Sequence, residues 1–296
     1  MPTPTTGAIE PTTHTLDVPG ATLTYDVRRY PASTEPPLFL IGSPMGAGGF
    51  PTLASHFTDR TVITYDVRGS ERSIAHDPAQ PITPEVRADD VHRIIEAVGG
   101  PVDLFASSGG AVVALALVAK HPHDVRTAVA HEPPLASLVP DREHALALNQ
   151  AMNATYRAKG WGAGMAHFMQ VVMHEGPLTA EDVAKAPPDP AMFGLPTDDD
   201  GGRNDLMLAH NVLWLTSYEP DFEAIRRGPT RVVIGVGATS NGHLAQRGGE
   251  AAAERLGIRP TIFPGGHDGF MGGEYGGIGQ PTEFAATLRE VLSSGS

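Results

Sequence analysis

The 296-residue chain contains no cysteine. This absence excludes disulfide bonds, a thiolate nucleophile and thiolate metal sites, so any chemistry must come from serine, histidine and carboxylate side chains. Basic residues are also few, because 21 Lys and Arg stand against 34 Asp and Glu and give a formal net charge of −13. A surface of this sign repels polyanions, which argues against a nucleic acid partner and favours a neutral or cationic small molecule.

Long apolar runs are missing as well. No segment reaches the roughly 20 apolar residues of a membrane-spanning helix, and the N-terminus has no charged region followed by an apolar one. We therefore expect a cytoplasmic protein without a membrane anchor. Residues 1–12 are rich in Thr and Pro and lack an apolar period, which predicts a disordered leader.

Short apolar or alternating runs, bounded by Gly, Pro or Asp, predict eight β-strands. They cover residues 13–18, 21–29, 37–42, 61–67, 101–107, 125–132, 230–237 and 259–264. Apolar residues at helical spacing predict helices at 84–98, 109–121, 243–256 and 282–293. Because the later strands alternate with helices, we expect an α/β fold with a mostly parallel, doubly wound eight-stranded sheet flanked by helices.

Residues 136–228 interrupt this alternation between the sixth and seventh predicted strands. Helical patterns at 141–158, 162–174 and 203–217 surround a Pro/Asp/Gly-rich link at 186–202 that we expect to be irregular. We interpret the segment as a helical lid on a core formed by 13–135 and 229–296. Its large apolar side chains are candidates for an apolar roof that binds substrate over the strand ends: Met165, Phe168, Met169, Met173, Phe193, Met207 and Trp214. Apolar residues at helical spacing are more often core than pocket, so packing within the lid explains any single one of them better.

The most informative motif is Ala106-Ser107-Ser108-Gly109-Gly110, which joins an apolar strand directly to an apolar helix. A sharp strand-to-helix turn needs small residues two before and two after its central residue, and Ala106 and Gly110 satisfy this requirement. The motif predicts a nucleophile elbow with Ser108 as the nucleophile. The alternative is an ordinary glycine-rich turn of an α/β protein.

A serine hydroxyl needs a base, which in turn needs an acid to orient it. His267 lies in the glycine-rich loop 264–269 just past the last predicted strand, on the same edge as the elbow, and is the candidate base. The alternative is a surface loop histidine. For the acid, the loop after the seventh strand, residues 235–242, holds no carboxylate, whereas Glu132 stands at the tip of the strand next to the elbow. Glu132 is therefore the candidate acid, and a hinge residue paired to an arginine is the alternative.

An oxyanion hole needs two donors aimed at the developing charge. The backbone N–H of Gly109, which follows the nucleophile, is the first candidate. The loop after the third strand should give the second, and since Pro44 has no N–H, the donor is either Ser43 or Met45. No pattern in the chain calls for a metal or a cofactor.

These motifs resemble the α/β-hydrolase superfamily over about residues 13–293. The elbow at Ser108, the Gly42-Ser43-Pro44 loop, the turn 66–73 and the His267 loop follow in the order of that family. An acid at Glu132 is similar to a minority pattern in haloalkane dehalogenases and zearalenone-type lactonases. The dehalogenases use Asp as nucleophile, whereas Ser107-Ser108-Gly109 and His131-Glu132-Pro133-Pro134 resemble segments of the lactonases.

The resulting hypothesis is a cofactor-independent serine hydrolase that cleaves a carboxylic ester or lactone through an acyl-enzyme. An apolar lid and an acidic surface favour a hydrophobic, uncharged small molecule, including a macrolactone such as zearalenone. Hydrolysis of a carbon–carbon bond and perhydrolysis are alternatives on the same triad. A ligand-binding protein without turnover is a further alternative, based on the vacant acid position near Thr239.

Overall fold

The computed structural model describes residues 10–294. Most of the predicted leader therefore lies outside the described residues, and its last residue, Thr12, already opens the first strand. None of the helices between residues 10 and 294 has the length and apolarity needed to cross a bilayer.

The described residues form one twisted, mostly parallel sheet. Its strands are β1 (Thr12–Val18), β2 (Ala21–Arg28), β3 (Leu38–Ile41), β4 (Val62–Tyr65), β5 (Ile74–Ala75), β6 (Val102–Ser107), β7 (Val125–His131), β8 (Arg231–Gly237) and β9 (Thr261–Phe263). The order across the sheet is β1-β2-β4-β3-β6-β7-β8-β9, with β5 added to β2. Pairs from β4 to β9 are parallel, whereas β2 pairs antiparallel with β1, β4 and β5. The expected fold is confirmed, and the two-residue β5 is an element that the sequence did not predict.

The main helices between the strands are α1 (Pro51–Ser55), α2 (Pro84–Val98), α3 (Gly109–Lys120), α9 (Leu244–Leu256) and α10 (Pro281–Ser293). Local signals set their ends. Thr83 caps α2 by accepting from the N–H of Val86, Pro84 follows at the first helical position, and Gly99 ends the helix at φ 86°.

Helices cover both faces of the sheet, which explains why the central strands are apolar throughout. On one face, α2, α3 and α9 bury Val91, Val112 and Ala252 against β6 and β7. On the other face, α1 and α10 bury Leu53 and Leu288 together with residues of β3, β4 and β6. The carboxyl ends of the parallel strands are left for the remaining helices to cover.

Between β7 and β8 the chain forms α4 (Arg142–Lys159), α5 (Trp161–Val172), α6 (Ala180–Ala184), a π-helix (Leu206–Asn211), α7 (Val212–Trp214) and α8 (Phe222–Arg227). We call residues 142–227 the helical insertion. It has a small core of its own that includes Leu148, Met152 and Val171. The three helical patterns in its sequence are observed. The link 186–202, expected to be irregular, holds one 3-10 turn at Pro190–Phe193, because Asp189 accepts from the N–H of Ala191 and starts it.

Candidate active site

A cavity of about 650 Å³ lies between the strand ends and the helical insertion. This volume is within the range of small-molecule binding sites, roughly 300–1,000 Å³. Ser108, Glu132 and His267 all contribute to its wall. The structure thus brings the three residues singled out in the sequence to one place.

Ser108 sits at the turn from β6 into α3 with φ 58° and ψ −127°. A non-glycine residue rarely adopts such angles, and they concentrate at functional sites. The turn is crowded, since a Cβ on Gly110 would lie 2.7 Å from the carbonyl oxygen of Ile41. The backbone N–H of Ser108 donates to the carbonyl oxygen of His131 at 2.9 Å and anchors the turn to β7.

Glu132 and His267 form a direct, charge-assisted contact. His267 Nδ1 lies 2.7 Å from Glu132 Oε2, and the backbone N–H of Gly237 donates to Glu132 Oε1 at 2.8 Å. A carboxylate can only accept, so Nδ1 carries the proton and the Nε2 lone pair of His267 is left free for a proton from the cavity side. Glu132 is fully buried at φ 49°, and its carboxylate reaches from the end of β7 to the end of β8.

The electrostatics of this pair follow from burial and hydrogen bonding. Burial raises the pKa of Glu132, but the hydrogen bond from His267 and the charges of the nearby imidazoles outweigh burial and bring the pKa to about 2. Glu132 therefore stays ionised at neutral pH. Thr239, near which the sequence shows a vacant acid position, is exposed in the loop past β8.

His131 is a buried histidine beside the site, and sequence reasoning did not single it out. It is fully buried among the rings of Phe105, Phe263 and Phe284. Neither ring nitrogen has a hydrogen-bond partner among the residues that the structure describes. Burial lowers the pKa of His131 to about 4, so this imidazole is neutral at physiological pH.

Of the candidate oxyanion donors, Gly109 and Ser43 lie together on the cavity wall. They are in close contact, since a Cβ on Gly109 would lie 2.7 Å from the Ser43 carbonyl oxygen. Gly109 is the first residue of α3, so its N–H points out of the helix start. The side chain of Met45 instead packs against Gly42 and Gly49, and Met45 is not part of the wall.

Two polar residues behind Ser43 carried no local signal in the sequence. Arg87, in the first turn of α2, donates from Nη1 to Ser43 Oγ at 2.6 Å and from Nη2 to Asn211 Oδ1 at 2.6 Å. Asn211, at the end of the π-helix, donates from Nδ2 to Ser43 Oγ at 3.1 Å. Only the fold brings these three residues together, because they are far apart in the chain.

The apolar residues expected to bind substrate divide into two groups. Phe168 and Met207 line the cavity. The structure does not bring Met165, Met169, Phe193 and Trp214 to it. Met165 packs against Tyr156 and Leu208 within the helical insertion, and Trp214 is 41% exposed. Met169 follows Phe168 in α5 and is rotated by about 100° around the helix axis, so it does not share the side that faces the cavity. Phe193 is the last residue of the 3-10 turn. Met173, the seventh candidate for the apolar roof, is 62% exposed and also lies off the wall.

Away from the cavity, His92, His121 and Asp124 place ligand-type atoms within 4.8 Å of one another. The two imidazole rings are stacked with centroids 3.8 Å apart and planes at 8°, so their in-plane lone pairs run parallel and do not converge on one point. His92 Nδ1 is already 2.6 Å from Asp124 Oδ2. The arrangement fits a stacked, hydrogen-bonded cluster better than a metal chelate.

Comparison with known proteins gives a consistent picture. A sequence model of the alpha/beta hydrolase fold matches residues 38–227. The uncharacterized hydrolase YraK of Bacillus subtilis is 30% identical over 263 residues, which cover 86% of this chain and 89% of YraK.

Two solved structures are similar at low sequence identity. A thermophilic esterase from Thermogutta terrifontis has a TM-score of 0.66 at 18% identity, covering 97% of this chain and 99% of the esterase. The enol-lactonase from Burkholderia xenovorans LB400 has a TM-score of 0.64 at 18% identity, covering 95% of this chain and 100% of the lactonase. At such identities the likeness concerns the fold.

Proposed function

The chain belongs to the alpha/beta hydrolase family, and from this premise we propose that it is a serine hydrolase of carboxylic esters or lactones. The observation that carries the proposal is the 2.7 Å contact between Glu132 and His267 in the same cavity wall as the strained Ser108. Nucleophile, base and orienting acid are the three roles that acyl transfer by a serine requires. The helical insertion acts as the lid of this site.

In the proposed mechanism, His267 Nε2 takes the proton of Ser108 while Ser108 Oγ attacks the substrate carbonyl carbon. Glu132 holds the imidazole by its Nδ1–H and stabilises the imidazolium that forms. The N–H of Gly109, together with Ser43, holds the oxyanion of the tetrahedral intermediate. His267 then protonates the leaving oxygen, and the acyl group remains on Ser108. In the second half, His267 activates a water that releases the acid and frees Ser108.

The substrate class follows from the wall of the cavity. Apolar side chains dominate the part formed by the helical insertion, including Met152, Phe168, Val171 and Met207. The net charge of −13 disfavours an anionic substrate. We therefore assign a hydrophobic, uncharged ester or lactone, and the volume of about 650 Å³ accommodates an aromatic macrolactone of the zearalenone type. This assignment needs neither a metal nor a cofactor.

The test measures product mass after incubation with aryl esters, simple lactones and a resorcylic macrolactone. Wild type should add one water to at least one substrate, and a fluorophosphonate probe should label Ser108. Ser108→Ala should abolish both. Ser137→Ala is the matched control, because Ser137 is a buried serine outside the cavity wall whose Oγ donates to the carbonyl oxygen of Tyr218.

Three outcomes would contradict all or part of the proposal. Turnover or labelling that survives in Ser108→Ala would remove Ser108 as the nucleophile. Ligand binding by both proteins, without turnover of any substrate, would indicate a binding protein on a hydrolase fold. If Ser108-dependent turnover is found only with carbon–carbon bonds or with peroxide as the acceptor, the triad stands and the ester assignment is wrong.

A further inference from the structure

The hydroxyl of Ser43 has an unusual hydrogen-bonding state. Its Oγ accepts from Arg87 Nη1 at 2.6 Å and from Asn211 Nδ2 at 3.1 Å. A serine hydroxyl has two acceptor lone pairs and one proton to donate. Both lone pairs are thus used, and among residues 10–294 the hydroxyl proton has no acceptor.

The orientation of Asn211 is fixed by chemistry. A guanidinium only donates, so the Asn211 atom that faces Arg87 must be the carbonyl oxygen Oδ1, at 2.6 Å. The amide nitrogen Nδ2 is then left to face Ser43, and it too can only donate. Ser43 cannot give its proton to either neighbour.

The third member of this group, Arg87, is a buried charge without a direct ion-pair partner among the described residues. It is 0% exposed, and no carboxylate oxygen lies within 4.0 Å of its guanidinium in the described part of the chain. Asp90, three residues further along α2, is paired with Arg68 at 2.6 Å. Burying an unpaired charge is costly, so such a group suggests a role that depends on positive potential.

Ser43 is 3% exposed and lies on the cavity wall in contact with Gly109. Since the sides towards Arg87 and Asn211 are taken by donors, the cavity is the direction left for the hydroxyl proton. We propose that the Ser43 side-chain hydroxyl is an oxyanion donor, polarised by the buried charge of Arg87 and oriented by Asn211. Ser43 acts on the substrate carbonyl oxygen, while Arg87 and Asn211 are positioning residues that act through it.

This inference rests on the proposed function, so its test starts from a wild-type enzyme with Ser108-dependent turnover of an aryl ester. Ser43→Ala should lower kcat about 10²- to 10³-fold, the usual effect of removing one oxyanion donor, with little change in KM. It should also reduce the preference for the ester over its thionoester, because sulfur accepts hydrogen bonds poorly. Ser137→Ala should change neither quantity.

Asn211→Asp is the sharper variant. An aspartate of nearly the same shape accepts from Arg87 and also from Ser43, so it diverts the hydroxyl proton away from the cavity and gives Arg87 a counter-charge. We expect kcat to fall as in Ser43→Ala, while the melting temperature is unchanged or higher. In a Ser43→Ala background, Asn211→Asp should lower kcat by less than about threefold further. Both changes remove the same donor, the Ser43 hydroxyl, so their effects should not add.

A purely structural role for this group predicts the opposite pattern. Wild-type kcat in Ser43→Ala, or an unchanged ester-to-thionoester ratio, would overturn the inference while the proposed hydrolase stands. Full additivity of Ser43→Ala and Asn211→Asp would also overturn it, because the aspartate would then act by its own charge. Absence of wild-type turnover would instead overturn the proposed function.

Discussion

The contact between Glu132 and His267 makes Glu132→Gln an informative change in this chain. The glutamine keeps the shape of the glutamate, and its amide oxygen can still accept from the N–H of Gly237, as Oε1 does at 2.8 Å. The amide nitrogen then faces His267 Nδ1 in place of Oε2. Because that nitrogen donates, Nδ1 must accept, and the imidazole proton moves to Nε2. His267 would then present a proton to Ser108 where a lone pair is required.

The magnitude follows from this change of tautomer. Replacing the acid of a serine protease triad by its amide lowers kcat by about 10⁴-fold with the geometry intact. We expect a fall on the order of 10³- to 10⁴-fold in kcat for Glu132→Gln, and a similar fall in the rate of fluorophosphonate labelling. KM for an aryl ester should change little, because Glu132 is fully buried behind His267.

The assay compares kcat, KM and melting temperature for wild type, Glu132→Gln and Glu132→Ala at neutral pH. A kcat within tenfold of wild type in Glu132→Gln would refute the reasoning, since the acid would then lie elsewhere. A fall in kcat accompanied by loss of the cooperative melting transition would be a folding defect, so the melt is measured on the same preparation.

Three further changes test other parts of the site. His131→Leu removes an imidazole whose pKa burial lowers from the ordinary 6.5 to about 4. Because the unfolded chain takes up this proton at a higher pH than the folded protein, the free energy of unfolding of wild type should fall by about 3 kcal/mol between pH 6.5 and pH 4. The variant should melt at an unchanged or higher temperature at pH 7 and should not lose this stability at acid pH. If wild type and variant show the same dependence of stability on pH, buried neutral His131 is not its cause. Gly110→Ala places a Cβ 2.7 Å from the Ile41 carbonyl oxygen, so it should lower the melting temperature. A melting temperature equal to that of wild type would show that the elbow relaxes easily. Arg247→Met breaks the ion pair with Asp141 between α9 and the start of the helical insertion. The change should raise KM and have little effect on the melting temperature. An unchanged KM would show that the Arg247–Asp141 pair has no role in substrate binding.

The site residues that could be predicted from the sequence are those with a local signal. Ser108 is flanked by the small residues that its turn needs, and His267 lies among glycines just after a strand. Glu132 required one more step, because the loop after β8 has no carboxylate. In each case the neighbouring residues in the chain determine the backbone path, and the carboxyl ends of parallel strands meet at one edge of the sheet.

The remaining site residues have no such signal. Arg87 and Asn211, which are 124 positions apart in the chain, meet only because α2 and the π-helix are folded against the same loop. The helical insertion was predicted as a segment, but the rotation of its helices was not. Phe168 and Met165 are both apolar, and only the packing of α5 decides that Phe168 faces the cavity while Met165 packs against Tyr156.

The position of Glu132 also explains why the loop after β8 needs no carboxylate. Both Ser108 and Glu132 have positive φ, at 58° and 49°, and each such residue costs on the order of 1–3 kcal/mol. Backbone hydrogen bonds to the next strand hold both in place, from Ser108 N–H to His131 and from Glu132 N–H to Gly235, each at 2.9 Å. The strained backbone of Glu132 turns its side chain across to β8, where the N–H of Gly237 receives it. The proposed acid thus follows β7 in the sequence and lies beside β8 in space, so the loop after β8 can supply cavity wall instead of an acid.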